Sequence, residues 1–225
     1  MSCRVAVLIS GSGTNLQALI DARQHGALGP AELVGVFSNR PGAGGLERAE
    51  RAGIPTCVID HRQYADRSAF DQAMQAALES WQPDLLVLAG FMRILTEPFV
   101  ARYAGRMLNI HPSLLPRYPG LNTHARALAA GDAEHGATIH FVTGELDGGP
   151  AILQARVPIE ANDTAEQLAA RVQRKEHQIY PAVVRWFSEG RLTMHQGHAY
   201  MDGNAIHPTG LDWDALDNAP DTDPN

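Results

Sequence analysis

The sequence predicts a doubly wound α/β fold, a mostly parallel sheet flanked by helices, and three observations carry that prediction. Short β-rich runs alternate with helical stretches through the first half of the chain. The runs are apolar at successive residues rather than at every second one, the mark of strands buried on both faces as in a parallel sheet. With 225 residues, 44% hydrophobic and 19% charged, the chain has the composition of one soluble domain that buries its core without staples.

Taken in order, the strands are residues 4–10 (RVAVLIS), 32–38 (ELVGVFS), 56–59 (TCVI), 85–89 (LLVLA) and 107–111 (MLNIH). Helices are expected between them at 16–25, 45–52, 68–81 and 96–103, each entered after polar, Gly or Pro punctuation. Two further strands, 137–142 and 151–158, lie around the turn signal Asp147-Gly148-Gly149-Pro150. A long helix over 165–187 follows the cap residues Asp163-Thr164 and carries apolar residues at Leu168, Val172, Ile179, Val183 and Phe187. Pro181 inside it predicts a kink or a broken turn. From Leu211 the chain is acidic and rich in Pro, Asn and Asp, with too little apolar surface to order itself. Residues 1–208 are therefore expected to form the domain and 209–225 a poorly ordered tail.

Composition also removes function classes. A formal net charge of −7 argues against a nucleic-acid partner, although a local basic pocket is compatible with it. The first apolar run, residues 5–9, is far shorter than the ~20 residues of a membrane span. Cys3 and Cys57 are too few for a disulfide framework or a four-ligand zinc site, which fits a reducing cytoplasm. The pairs His135/His140 and His195/His198 do not have zinc-ligand spacing, and no metal is expected.

Four segments bear chemistry. Gly11-Ser12-Gly13-Thr14-Asn15 lies between a strand and a helix, where glycines admit close backbone approach and helix N–H groups face an anion. It reads either as a phosphate cradle or as a tight turn. Leu16 occupies the third glycine position of the dinucleotide fingerprint, and the second strand ends in Ser38-Asn39-Arg40 without a ribose-binding acid. Asn109 and His111 lie two apart at the carboxyl end of a parallel strand, on the same side, where ligands of open α/β sheets bind. An amide and an imidazole there can stabilise an oxygen that becomes negative or relay a proton, whereas a lone histidine is also a common structural residue. Asp147, in the Thr143–Gly149 segment, is an ordinary Asp-Gly turn unless it meets His111. Phe91-Met92-Arg93-Ile94-Leu95 forms either an apolar wall for a flat ligand or the packed entry to a helix.

Together, ISGSGTNLQALI, VFSNR, LAGFMRIL, NIHPSLLPRYPG, HFVTGELDGGP and RVQRKEHQIYP resemble the glycinamide ribonucleotide formyltransferase family (phosphoribosylglycinamide formyltransferases) over about residues 4–208. NIHPSLLP is shared with the wider formyltransferase superfamily, while the glycine loop, Tyr118-Pro119-Gly120 and KEHQIYP are more particular to this branch. The resemblance implies a Rossmann-like formyltransferase architecture and transfer of the formyl group of 10-formyltetrahydrofolate to the primary amine of glycinamide ribonucleotide in purine biosynthesis, by a monomer or homodimer.

It further implies Asn109, His111 and Asp147 as the catalytic trio: Asn109 and His111 on the oxyanion, Asp147 holding the imidazolium. Gly13, Thr14 and Asn15 would hold the phosphate and sugar end. Glu176 would take the ribose hydroxyls, with Gln173, Arg174 and Lys175 beside it. Met92, Arg93, Ile94 and Leu95 would line one side of the folate, Thr143, Gly144, Glu145, Leu146 and Asp147 the other, with Asn109 also facing it and Arg67 at its glutamate end. Thr14 departs from the serine of many relatives but leaves the backbone donors unchanged. The competing readings are a formyltetrahydrofolate deformylase, in which water replaces the amine, a transfer-RNA formyltransferase, and a noncatalytic folate- or nucleotide-binding module.

Overall fold

The computed structural model describes residues 2–217. Its first half alternates β1 (Cys3–Ile9), α1 (Thr14–Gln24), β2 (Ala31–Ser38), α2 (Gly44–Arg51), β3 (Thr56–Val58), a 3₁₀ turn at His61–Gln63, α3 (Arg67–Glu79), β4 (Leu85–Leu88), α4 (Glu97–Arg102) and β5 (Met107–His111). Each of these strands and α-helices starts and ends within two residues of its expected position.

β1 shows why the sheet needs helices on both faces. Val5 to Ile9 are all 0% exposed, and the two-residue period divides them between two cores. Val5, Val7 and Ile9 join Leu16, Leu19 and the long C-terminal helix, whereas Ala6 and Leu8 join Phe37, Phe70, Met74 and Phe99 beneath α3 and α4. Each buried aliphatic side chain contributes roughly 1.5–3 kcal/mol, so this strand anchors both layers.

The second half contains α5 (Thr123–Ala130), β6 (Glu134–Phe141), β7 (Ala151–Pro158) and α6 (Ala165–Ser188). It ends in β8 (Leu192–His195), β9 (His198–Met201), β10 (Asn204–Ala205), β11 (Leu211–Asp212) and α7 (Trp213–Asp217). The main sheet has the order β11-β7-β6-β5-β4-β1-β2-β3, while β10-β9-β8 form a small separate sheet. β1 pairs in parallel with both β2 and β4, so successive connections leave β1 in opposite directions. The crevice at that reversal, outside the strand carboxyl ends, lies between the loops that follow β1 and β4. β6 runs antiparallel to both β5 and β7, which carries the chain back past the end of β5.

The expected broken turn at Pro181 and the expected lack of order after Leu211 are corrected. α6 is one continuous helix through Pro181, started by a capping box in which Thr164 and Gln167 satisfy each other's backbone N–H groups. Pro181 is buried, so packing of its ring holds a helix that proline alone would interrupt. The chain after Leu211 is not structureless over its described part: β11 adds to the sheet edge beside β7, and Leu211 and Trp213 pack on the core. Two apolar side chains and an open strand edge supply what composition had discounted; residues 218–225 lie outside the described residues. Among the described residues, no helix is long and apolar enough to cross a membrane.

Candidate active site

β5 delivers Asn109 and His111 to one side while Leu108 and Ile110 go into the core. The segment between β6 and β7 returns over them, and its course depends on Gly149, where a Cβ would lie 1.8 Å from the Phe141 carbonyl oxygen. Only glycine permits that approach. Asp147 sits in the left-handed region at φ 52°, a conformation costly for a non-glycine residue and typical of functional turns.

The result is a buried polar cluster. Asp147 Oδ2 lies 3.3 Å from His111 Nδ1 and accepts the Gly120 N–H at 2.8 Å. Asp147 Oδ1 lies 3.8 Å from His140 Nε2, which in turn is 3.2 Å from Asn109 Nδ2. His140 Nδ1 bonds the Phe141 carbonyl at 2.8 Å, and His111 Nε2 bonds the Tyr118 carbonyl at 2.9 Å. Burial pushes the His140 ring below the ordinary imidazole range, against the opposing pull of the Phe141 carbonyl and Asp147. A neutral His140 that donates from Nδ1 accepts at Nε2, which turns the Asn109 amide nitrogen toward it. The two rings around Asp147 thus serve different ends: His111 faces the carboxylate, and His140 orients the amide.

At the other end of the crevice α1 and α6 meet. Asn15 Nδ2 donates to Glu176 Oε2 at 2.9 Å, and Gln173 Nε2 donates to Thr14 Oγ1 at 3.1 Å, across 161 and 159 residues of chain. Glu176 is 8% exposed; burial raises its carboxyl above the usual range and the Asn15 bond opposes this. Asn15 Oδ1 is buried without a partner, an acceptor left over for a ligand hydroxyl or amine. Gly13 is the left-handed N-cap of α1, at φ 71°.

The 91–95 segment is tied to β1 by the Met92 N–H, which donates to Ser10 Oγ at 2.7 Å. Met92 and Ile94 are exposed, as is Leu146 on the 143–147 turn. Arg93 lays its guanidinium 6.0 Å from the Phe70 ring, and its Nε is buried without an acceptor. A cavity of about 600 Å³ opens between α4 and Thr143, Gly144 and Glu145, and residues 91–95 are not part of its lining. Val100, Ala101, Val142 and Met194 also line it, none of which motif reading had singled out.

Three expected residues are not drawn into these contacts. Arg67 is exposed in the first turn of α3, Arg174 is exposed on α6, and Lys175 points to α7, where its Nζ lies 2.6 Å from Asp214. His140 and the Tyr118 carbonyl were missed. A histidine facing Asn109 is legible only once the β5–β6 register is known.

A glycine loop at a helix start and a buried carboxylate–imidazole pair, both at the carboxyl ends of a doubly wound sheet, are features of an α/β enzyme. The chain belongs to the formyl transferase family, whose model matches residues 3–184. It is 53% identical to the phosphoribosylglycinamide formyltransferase of Escherichia coli over 206 residues, 92% of this chain and 97% of the relative. It is 50% identical to the bovine trifunctional purine biosynthetic protein adenosine-3 over 192 residues, 85% of this chain but 19% of that longer protein. The solved phosphoribosylglycinamide formyltransferase of Coxiella burnetii superposes with a TM-score of 0.90 at 50% identity, covering 94% of this chain and 99% of that one.

Proposed function

We propose that the protein transfers the formyl group of 10-formyltetrahydrofolate to the primary amine of glycinamide ribonucleotide, a step of purine synthesis, with Asn109, His111 and Asp147 as its catalytic residues. The observation that carries this reading is the 3.3 Å contact of His111 with Asp147, residues 36 apart in the chain that meet at the carboxyl end of β5.

The two ends of the crevice suit the two substrates. The exposed apolar side chains of Met92, Ile94 and Leu146 and the unpartnered Arg93 Nε fit a flat heteroaromatic donor with polar edges. Bound there, the folate supplies a formyl group carried on nitrogen. The glycine loop offers backbone N–H groups to a phosphate, and Glu176 with the open Asn15 Oδ1 offers acceptors to ribose hydroxyls.

Attack by the uncharged amine makes the formyl oxygen negative. The Asn109 amide has two N–H groups; one points to His140, and the second donates to that oxygen. His111 contributes when Nε2 exchanges the Tyr118 carbonyl for the substrate oxygen, while the Asp147 carboxylate behind Nδ1 stabilises the imidazolium. The proton lost by the attacking amine passes to the departing folate nitrogen, a transfer that an imidazole at this position relays through water.

The deciding experiment incubates the purified protein with 10-formyltetrahydrofolate, with and without glycinamide ribonucleotide. Formylated ribonucleotide is the expected product. Formate released without acceptor would make the protein a hydrolase, and neither product would make it a binding module.

A further inference from the structure

The geometry points to Arg48 as the positioning residue of the glycine loop: it locks the Ser12–Gly13 peptide so that successive N–H groups face the acceptor's phosphate. The inference rests on the proposed phosphate role of that loop and assigns its shape to a residue outside it.

α2 holds the loop from behind by two consecutive carbonyls. The Gly45 N–H donates to the Gly11 carbonyl at 3.1 Å, and Arg48 Nε donates to the Ser12 carbonyl at 2.8 Å. In a trans peptide the C=O and the following N–H point in opposite directions. Fixing the Gly11 and Ser12 carbonyls toward α2 therefore turns the Ser12 and Gly13 N–H groups away from it. They join those of Thr14 and Asn15 at the start of α1, and no acceptor among the described residues takes any of the four. Four open donors, with the buried, unpartnered Asn15 Oδ1 on the same turn, suit an anion that also carries hydroxyl groups.

The lock is needed because of Gly13 itself. Contact with α2 is so close that a Cβ on Gly13 would lie 2.5 Å from Gly45 Cα, which excludes every other residue. Glycine, however, also accepts the conformation reached when the preceding peptide rotates by half a turn. That flipped peptide presents the Ser12 carbonyl oxygen to the phosphate and replaces attraction with repulsion. Arg48 opposes the flip. Its Nη1 is braced on Gln17 Oε1 at 3.1 Å, and both of its hydrogen-bond partners are uncharged, so its positive charge also acts on the anion.

The test is Arg48→Met, which keeps the length of the side chain and removes its donors. In the unaltered protein, inorganic phosphate should shift the Ser12 and Gly13 amide resonances in ¹⁵N-resolved NMR. In the variant those shifts should be lost, and KM for glycinamide ribonucleotide should rise ~10- to 100-fold, the worth of a hydrogen bond to a charged group, with kcat and the donor KM little changed. Should Arg48→Met not fold, Arg48→Leu, which likewise removes the donors and the charge, carries the same expectation. A folded variant with an unchanged acceptor KM and unchanged phosphate shifts overturns the role of Arg48. Ser12 and Gly13 amides indifferent to phosphate and ribonucleotide in an unaltered, active protein would instead remove the phosphate assignment on which it rests.

Discussion

Asn109 and His140 face each other across the antiparallel pair β5–β6, the amide nitrogen 3.2 Å from Nε2 of a ring whose other nitrogen is held by the Phe141 carbonyl. His140 therefore fixes the orientation of the Asn109 amide, which in the proposed mechanism sets the end that meets the reacting oxygen. His140→Leu keeps the site filled but releases the amide, so kcat should fall ~10-fold, about the value of one directed hydrogen bond, while both KM values hold. Steady-state kinetics checks this, and an unaltered kcat would leave His140 a packing residue.

His111→Ala in a folded protein should lower kcat by ~10²- to 10⁴-fold, the usual contribution of a general acid or base. Asp147→Asn retains an acceptor for the Gly120 N–H but removes the charge beside His111, and should cost ~10- to 100-fold. The ¹⁵N chemical shifts of the His111 ring, compared with and without Asp147→Asn at one pH, report the change directly. Identical ring shifts together with an unaltered rate would take Asp147 out of the mechanism.

Glu176→Ala removes the carboxylate that meets Asn15, and acceptor KM should rise ~10- to 100-fold while donor affinity is retained. Isothermal titration with each substrate separates the two. A fall in folate affinity instead would put Glu176 in the other subsite. The dephosphorylated glycinamide riboside should likewise bind far more weakly than the ribonucleotide, by the loss of its contacts with the glycine loop.

His135 is 1% exposed, and burial, with the neighbouring His124 ring 5.1 Å away, lowers it to about 4. In the unfolded chain a histidine titrates near ~6.5, so on acidification the unfolded state takes up its proton first. Stability is then complete above that value and is lost progressively as pH falls from there toward 4. Urea unfolding at a series of pH values should show this slope, flattened in His135→Gln. An equal slope in the variant would assign the acid sensitivity to other groups.

Much of the fold could be read because its first half obeys local rules. Continuous apolar runs such as residues 5–9 are buried on both faces, and Gly, Pro and capping residues bound them. What escaped depends on distant parts of the chain. α5 is only eight residues long and its N-cap, Asn122, is left-handed and makes no side-chain capping bond, so the Asn before Thr123 looks like a turn residue as much as a helix start. The antiparallel pairing of β6 with β5 has no local signature, and without it His140 looks like one more scattered histidine. Asp147 was read as significant only if it met His111, a condition the returning turn satisfies. Lys175 shows the converse: its position within a motif says nothing of where a long, flexible side chain points, and this one turns to Asp214.

Beside the long strand β7 the C-terminal residues Leu211 and Asp212 occupy hydrogen-bonding positions at Leu153 and Gln154. At the opposite border the outermost strand, β3, is three residues long. One border of the main sheet is therefore short, and the other is interrupted near its middle, where β11 occupies two of the eight positions of β7. Leu211 and Asp212 in this sense work against edge-to-edge aggregation, because they break up what would otherwise be an uninterrupted eight-residue template.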